Sequence, residues 1–145
     1  MFLRRLLTLS GMLSGTLFAS VAVPAAAADP VNGRWVTADK DAVVVIGKCG
    51  PSVCGKINRF LVPPPDGPGQ RDINNPDPKL KKRKLLGLPV LFNFSEDDDL
   101  WRGRIYDPKS GKSYRSVLRR KGPNLLEVKG CIGPFCQTQI WRKAS

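Results

Sequence analysis

Four cysteines, arranged in two short loops, are the residues of this chain best suited to form covalent or metal bonds. One loop runs from Cys49 to Cys54 and the other from Cys131 to Cys136, and each contains a Gly-Pro turn. Residues that face each other across an antiparallel strand pair lie roughly 4.5 Å apart at Cα, a separation that a disulfide accepts. The spacing therefore predicts two β-hairpins, each closed by a local disulfide.

Two other arrangements use the same cysteines. Pairing Cys49 with Cys136 would close a much longer loop and restrict the unfolded chain more strongly. A zinc site with two C-x4-C halves has the required number of thiolates, but these must stay reduced. An oxidising compartment opposes that state. We expect the two local disulfides and no metal.

The rest of the composition removes most catalytic chemistry. The chain has no histidine, so neither a Ser-His-Asp nor a Cys-His arrangement can form. Most carboxylates outside the acidic turn at 96–99 stand in apparent turns, where a solvated side chain is the ordinary role. We expect no catalytic residue, no enzymatic activity and no cofactor.

One polar stretch is a candidate loop site, within a proline-rich segment at 63–78. Its members are Asp72, Asn74, Asn75 and Asp77. The spacing is similar to half of a calcium loop, but the glycine of the sharp turn and the closing glutamate are absent. The alternative is a set of Asx-turns that braces the loop through side-chain to backbone bonds.

A basic run follows this stretch and is the candidate anion-binding site. Five of its six positions are cationic, namely Lys79, Lys81, Lys82, Arg83 and Lys84. With a net charge of +12, such a run would suit nucleic acid in the cytoplasm. In an exported protein the corresponding partners are anionic lipid head groups, lipopolysaccharide or cell-wall polymers. A solvated surface that aids solubility is the alternative, and we expect no nucleic-acid partner.

The N-terminus predicts export. Two arginines precede an apolar stretch, and Ala25 to Ala28 supplies the small residues that a signal peptidase reads. A retained membrane anchor is the alternative, although the stretch is barely long enough to span a bilayer. We expect residues 1–28 to be a signal peptide cleaved after Ala28. A single periplasmic domain, residues 29–145, would remain, and it would not span the membrane.

The mature chain consists of short strand-like runs separated by turn signals, with almost no helical pattern. The eight predicted strands cover 32–37, 42–46, 55–62, 88–94, 100–106, 113–120, 125–131 and 136–142. This pattern predicts an all-β fold, an eight-stranded antiparallel up-and-down barrel with one long proline-rich loop. An immunoglobulin-like sandwich is the alternative, but its strand-spanning cysteine pair is missing.

Gly33-Arg34-Trp35 resembles the G-x-W motif that opens lipocalin and avidin-like barrels. In those folds a basic residue of the last strand packs over the tryptophan and closes one end of the barrel. Here Trp141 is followed by Arg142 and Lys143. The resemblance implies that Gly33, Trp35, Trp141 and one of these two cations form the barrel closure.

A wider set of motifs resembles an exported bacterial family, domain of unknown function 2147, across nearly the whole mature chain. The resemblance implies a lipocalin-like barrel in the envelope with no established activity. Its motifs are Gly33-x-Trp35, Ile46-Gly47-x-Cys49-Gly50, Cys54-Gly55-Lys56-Ile57, Asp72-x-x-Asn75-Pro76-Asp77, Arg83-x-Leu85-x-Gly87-Leu88, Ile105-Tyr106-Asp107-Pro108-x-x-Gly111-Lys112-x-Tyr114, Gly130-Cys131-Ile132-Gly133 and Thr138-x-x-Trp141.

Two functions fit these observations. The first is a monomeric, non-enzymatic barrel that holds a small apolar or amphipathic ligand. The alternative is an envelope interaction protein that docks on anionic lipid, polysaccharide or a protein partner through its basic surface. A barrel of eight strands is either filled by side chains or holds one small ligand. A hollow interior favours the first function. An interior filled by aromatic rings favours the second, the candidate rings being Trp35, Phe60, Phe92, Phe94 and Trp101.

Overall fold

A computed structural model describes residues 19–145 of the chain. The first 18 residues of the predicted signal peptide lie outside the described residues. From residue 19 to residue 32 the chain forms no helix or strand. Within the described residues, no helix is both long enough and apolar enough to cross a membrane.

Eight antiparallel strands form a closed barrel. Each strand pairs with the next along the chain, and the last strand pairs with the first, which confirms the predicted up-and-down barrel and excludes the sandwich. A single 3-10 turn, Gly67–Gly69, interrupts the long connection after the third strand. The strands are β1 Gly33–Val36, β2 Ala42–Cys49, β3 Ser52–Phe60, β4 Pro89–Asp97, β5 Leu100–Asp107, β6 Lys112–Arg120, β7 Leu125–Ile132 and β8 Phe135–Lys143.

The alternating strand directions place the connections at two ends of the barrel. We call one the mouth end, where β1–β2, β3–β4, β5–β6 and β7–β8 are joined, and the other the closed end. The β3–β4 connection, residues 61–88, is called the long loop. Three proline residues at 63–65 stop β3 from continuing, because proline cannot donate to the strand ladder.

Bulky side chains fill the closed half of the barrel. Trp35, Leu91, Phe94, Leu118 and Leu126 are completely buried there. The ring of Phe94 lies over Gly103, where a Cβ atom would come within 2.6 Å of the ring. Only glycine fits at that position, so the neighbouring strand β5 makes room for the buried ring of Phe94. Of the five candidate rings, Trp35 and Phe94 fill this half, whereas Phe60, Phe92 and Trp101 are only partly buried.

The seam between the first and last strands is short. β1 has four residues, and its pairing with β8 consists of Trp35 with Lys143 and Val36 with Arg142. On this side of β8, residues 135–141 have no strand partner within the described part of the chain. The barrel is therefore closed at the seam near one end and open along the seam near the mouth.

Both predicted disulfides are present. Cys131 and Cys136 face each other directly at the mouth end, with a Cα–Cα distance of 4.0 Å. Cys49 and Cys54, at the closed end, are bonded diagonally with a Cα–Cα distance of 5.7 Å, because Cys54 lies opposite Gly47. The local pairing is confirmed, and the expectation of a directly opposed pair holds only for the second loop.

Candidate functional site

A cavity of about 710 Å³ opens at the mouth end of the barrel. The β1–β2 turn, the long loop and the β5–β6 hairpin surround its opening, and its inner wall is apolar. That wall is formed by side chains from β2, β3, β4, β5 and β8, namely Val44, Ile57, Val90, Ile105 and Trp141. The mouth end of the barrel therefore has a half-open cavity, whose inner wall is continuous with the buried core.

A second cavity of about 420 Å³ adjoins the first on the side of β7 and β8. Ile105, Asp107 and Gln139 line both cavities, so the two share part of their wall. Gln139 faces inward, because it lies opposite the buried Val128 and accepts a hydrogen bond from the indole of Trp141. Polar side chains of β8 thus line the cavities next to the open seam.

Lys109 connects two sides of the cavity rim. Its ammonium group lies 2.9 Å from Asp41 and 3.1 Å from Asp39, so it links the β5–β6 hairpin to the β1–β2 turn. Burial alone would raise the pKa of Asp41, but hydrogen bonds from Thr37 and Lys109 outweigh it and lower that pKa. Hydrogen bonds to Asp41 and Asp39 raise the pKa of Lys109. Both shifts in pKa favour the charged forms of Asp41 and Lys109.

A buried carboxylate holds the long loop against the barrel. Asp72 is 1% exposed, and the hydroxyl of Tyr106 on β5 donates to its Oδ1 at 2.5 Å. Its Oδ2 accepts hydrogen bonds from Asn75 Nδ2 and Arg83 Nε, both at 2.9 Å. The Arg83 guanidinium also lies over the ring of Tyr106, 5.4 Å from its centre. We call Asp72, Asn75, Arg83 and Tyr106 the loop brace.

This environment changes the pKa of the Tyr106 hydroxyl. Burial raises its pKa, and the hydrogen bond that it donates to Asp72 raises it further. Because a protonated phenol can donate to a carboxylate and a phenolate cannot, the brace depends on the neutral form of Tyr106.

The remaining polar residues of the candidate loop site also act as braces. The Asn74 amide donates to the carbonyls of Pro108 and Lys109 at 3.1 Å, which ties the loop to the β5–β6 hairpin. Asp77 accepts the backbone N–H of Lys79 in an Asx-turn. Gly111 makes this approach possible, since a Cβ there would lie 1.9 Å from the Asn74 carbonyl oxygen. Asn74, Asn75 and Asp77 make the side-chain to backbone bonds of the bracing alternative. Asp72 instead bonds to other side chains, which occupy both of its carboxylate oxygens.

The family comparison decides the classification of the chain. Residues 33–143 match the profile of a family described as "Uncharacterized protein conserved in bacteria (DUF2147)". The chain belongs to this family. No curated protein matches it significantly.

A solved structure shows the same fold as this DUF2147 barrel. Protein HP1028 from the human pathogen Helicobacter pylori, described as belonging to the lipocalin family, is similar with a TM-score of 0.68. The sequences are 18% identical, and the match covers 80% of this chain and 84% of that one. At this identity the similarity supports the lipocalin-like fold alone.

The closed end of this DUF2147 barrel contains the predicted tryptophan with a different cation. Trp35 is fully buried, and its indole N–H donates to the Val31 carbonyl at 2.9 Å. The cation over its ring is Arg120 of β6, 5.3 Å from the ring centre, so the assignment of Arg142 or Lys143 was wrong. Lys143 instead lies beside Trp35 in the β1–β8 pairing, and Gly33 begins β1 with φ 142°.

The basic run divides into two parts. Lys79, Lys81, Lys82 and Lys84 are exposed on the long loop. Arg83 is turned inward to Asp72 at 2.8 Å and belongs to the loop brace, so its assignment to the anion-binding site was wrong.

Sequence reasoning missed Lys109, Tyr106 and Arg120. Lys109 stood in a predicted hairpin turn, and no local signal shows that this turn meets the β1–β2 turn. The signal for Tyr106 was the family motif around residues 105–114, which gave no role for the side chain. Arg120 lies 85 positions after Trp35 in the chain, and only barrel closure brings them together.

Proposed function

We propose that this protein is an exported, non-enzymatic binding barrel that holds a small amphipathic ligand in its mouth cavity. The observation that carries the proposal is the open cavity at the mouth end of a barrel whose other half is filled. Its main cavity, about 710 Å³, is within the range of roughly 300–1,000 Å³ that is usual for small-molecule sites.

The lining of the cavity supports an amphipathic ligand. Aliphatic and aromatic side chains form the inner wall, whereas Gln70, Lys109 and Gln139 stand among polar groups nearer the opening. An apolar ligand segment would lose water against the wall, with a gain of about 25 cal/mol per Å² of apolar surface buried. A polar head group would meet the rim, where hydrogen-bonding and charged groups fix orientation.

Binding rather than catalysis is supported by the groups available. The sequence has no histidine, and all four cysteines are in disulfides. The buried carboxylate, Asp72, is saturated by hydrogen-bond donors of the loop brace. The two disulfides and the signal-peptide pattern support export to the periplasm, because disulfides persist in oxidising compartments.

The test fills the cavity with a large side chain introduced from β8, where the substituted residue is exposed. Gln139→Trp places a large ring into the cavity from an exposed position of β8, and Thr138→Trp, the matched control, adds the same ring on the outer face. We expect the neutral fluorophore N-phenyl-1-naphthylamine to bind the unaltered protein and Thr138→Trp alike. Gln139→Trp should weaken binding at least about tenfold, which corresponds to about 1.4 kcal/mol.

Native mass spectrometry complements the dye titration. Protein purified without denaturation from the envelope of its own host should retain a small molecule, and the adduct should be lost from Gln139→Trp. Near-ultraviolet circular dichroism checks that both variants are folded. Absence of dye binding by the unaltered protein, or equal weakening in the two variants, would contradict a ligand in the cavity.

A further inference from the structure

We propose that the mouth end of the barrel docks on the surface of an anionic lipid bilayer. The docking surface consists of the exposed residues Leu61, Val62, Ile73, Lys79, Leu80, Lys81, Lys82 and Lys84 of the long loop, together with Ile132 and Phe135 at the tip of the β7–β8 hairpin. This proposal goes beyond ligand binding and does not depend on what the cavity holds.

The exposed apolar residues are concentrated at one end of the molecule. From Gly33 to Lys143, eight large hydrophobic side chains are exposed, and seven of them lie in or beside mouth-end connections. Phe135 and Ile132, at the hairpin tip, are 80% and 68% exposed. Scattered exposed hydrophobic residues are normal, but concentration at one end marks an interaction surface.

The connections at the same end also carry an excess of positive charge. Mouth-end connections contain eight basic and five acidic residues, whereas closed-end connections contain one basic and two acidic residues. The connections counted are 37–41, 61–88, 108–111 and 133–134 at the mouth end, and 50–51, 98–99 and 121–124 at the closed end. Exposed cations also stand on strand ends at the closed end, namely Arg34, Lys48, Arg142 and Lys143, so the mouth end is distinguished by the combination of cations with exposed apolar side chains.

The four lysines of the docking surface are available to a partner. Among the described residues, none of Lys79, Lys81, Lys82 and Lys84 lies within ion-pair distance of a carboxylate. Arg83, in the middle of the run, neutralises Asp72 of the same loop. The loop thus satisfies its buried acid with one cation and leaves the neighbouring lysines facing solvent.

The segment that carries the lysines is held in place before any partner arrives. Asp72 N–H donates to the Arg83 carbonyl at 3.0 Å, and Leu85 N–H donates to the Gln70 carbonyl at 2.9 Å. Arg71 pairs with Lys84 in a β-bridge and donates to the Lys82 carbonyl. Docking therefore requires little ordering of the backbone, which lowers the entropic cost of binding.

The mixture of side chains favours a bilayer over a soluble polyanion. Leu80 stands between lysines, and Ile73 lies in the same loop tip, so aliphatic groups and cations are interleaved. At a membrane, apolar side chains bury themselves at the level of the head groups while lysines contact anionic lipid. A polysaccharide or nucleic acid would use the cations and leave the aliphatic residues exposed to water.

The test is vesicle flotation with the oxidised protein as processed by an exporting bacterium. The unaltered protein should float at low salt with vesicles of phosphatidylcholine and phosphatidylglycerol, and not with phosphatidylcholine alone. Changing Lys79, Lys81 and Lys82 to Gln should lower partitioning at least about tenfold, since each lysine near the surface contributes roughly 1 kcal/mol. The matched control, Lys48, Lys56 and Lys121 to Gln, removes equal charge from the barrel wall and closed end and should retain binding.

A second variant separates the bilayer from other polyanions. Ile73→Ser with Leu80→Ser keeps every charge, and it should weaken vesicle binding severalfold while leaving retention on dextran sulfate unchanged. Failure of the unaltered protein to bind anionic vesicles overturns the proposal. Equal loss in the two lysine variants also overturns it, as does vesicle binding that the Ile73 and Leu80 changes leave intact. Near-ultraviolet circular dichroism confirms that each variant is folded.

Discussion

Asp72 shows how a single buried carboxylate determines the position of a whole loop. Its two oxygens accept bonds from a strand tyrosine and from loop residues on both sides of the turn. A buried acceptor that loses its donors, or donors that lose their acceptor, costs about 1–3 kcal/mol. The long loop, which forms one wall of the mouth cavity, therefore depends on this residue.

Replacing Asp72 with Asn should destabilise the protein by about 1–3 kcal/mol, because the new amide N–H₂ faces the Arg83 donors and the charge partner is lost. Urea unfolding measures this change. Asp77 is exposed, and its side chain accepts a hydrogen bond from the Lys79 backbone N–H. The free energy of unfolding of Asp77→Asn should stay within about 0.5 kcal/mol of that of the unaltered protein. Equal stability of the two variants would show that the loop is held by other contacts.

The raised pKa of Tyr106 makes a prediction about high pH. Because the pKa of Tyr106 is higher in the folded protein than its ordinary value of 10, its hydrogen bonds contribute fully to stability below pH 10. That contribution is lost as the pH rises through the pKa of Tyr106 in the folded protein. The chain has two tyrosines, so a difference titration at 295 nm between the unaltered protein and Tyr106→Phe isolates this group. We expect its midpoint above pH 10. A midpoint at or below 10 would contradict the hydrogen bond to Asp72.

At the scale of elements, β1 and β6 together close one end of the barrel. Trp35 from β1 is covered by Arg120 from β6, whose guanidinium also donates to the carbonyls of Pro30 and Pro123. Arg120 thus ties the segment before β1 to the β6–β7 turn. The cation over Trp35 therefore comes from β6, across the barrel end, and not from the end of the last strand, β8.

Trp35→Ala should cost about 3–5 kcal/mol, since it empties the centre of the closed half. Trp101→Ala should cost less, because Trp101 is only partly buried. Arg120→Gln should cost about 1–2 kcal/mol through the lost ring and carbonyl contacts, and Arg142→Gln, exposed on β8, should be nearly neutral. Thermal unfolding of the oxidised protein measures all four. A larger loss at Arg142 than at Arg120 would restore the original assignment.

The strands were predictable because their signals are local. Alternating and β-branched runs separated by Gly, Pro and Asp turns indicated all eight strands, and the ends differ by a few residues. The two hairpins closed by disulfides were predictable for the same reason, because each cysteine pair is only five residues apart. The predicted strand 42–46 lies within β2, and four of its five residues are buried.

The long loop was not predictable in detail because its contacts are distant in sequence. The segment that ends at Leu85 folds back on residues 70–72. That pairing turns Arg83 toward Asp72, eleven residues earlier, and away from solvent. A charge pattern gives the number of cations in a run, whereas the fold of the loop decides which of them remain available.

At the scale of the whole molecule, the most tightly packed part of the core and the cavity lie toward opposite ends of the barrel axis. The closed half contains the large buried side chains, the contact of Arg120 with Trp35 and the Cys49–Cys54 bridge. The mouth half contains the cavities, the ion cluster of Lys109, the exposed lysines and the Cys131–Cys136 bridge. Because Val44, Ile57, Val90 and Trp141 of the cavity wall also belong to the buried core, changes to these residues would affect stability as well as the cavity.

The seam near Trp35 has a practical consequence for handling the protein. β1 begins and β8 ends at the closed end, and Ala144 N–H still donates to the Arg34 carbonyl at 2.9 Å. A tag or linker fused after Ser145 would thus leave from the side opposite the cavity. On a sensor surface, such a linker would orient every copy with the opening of its cavity toward the solution.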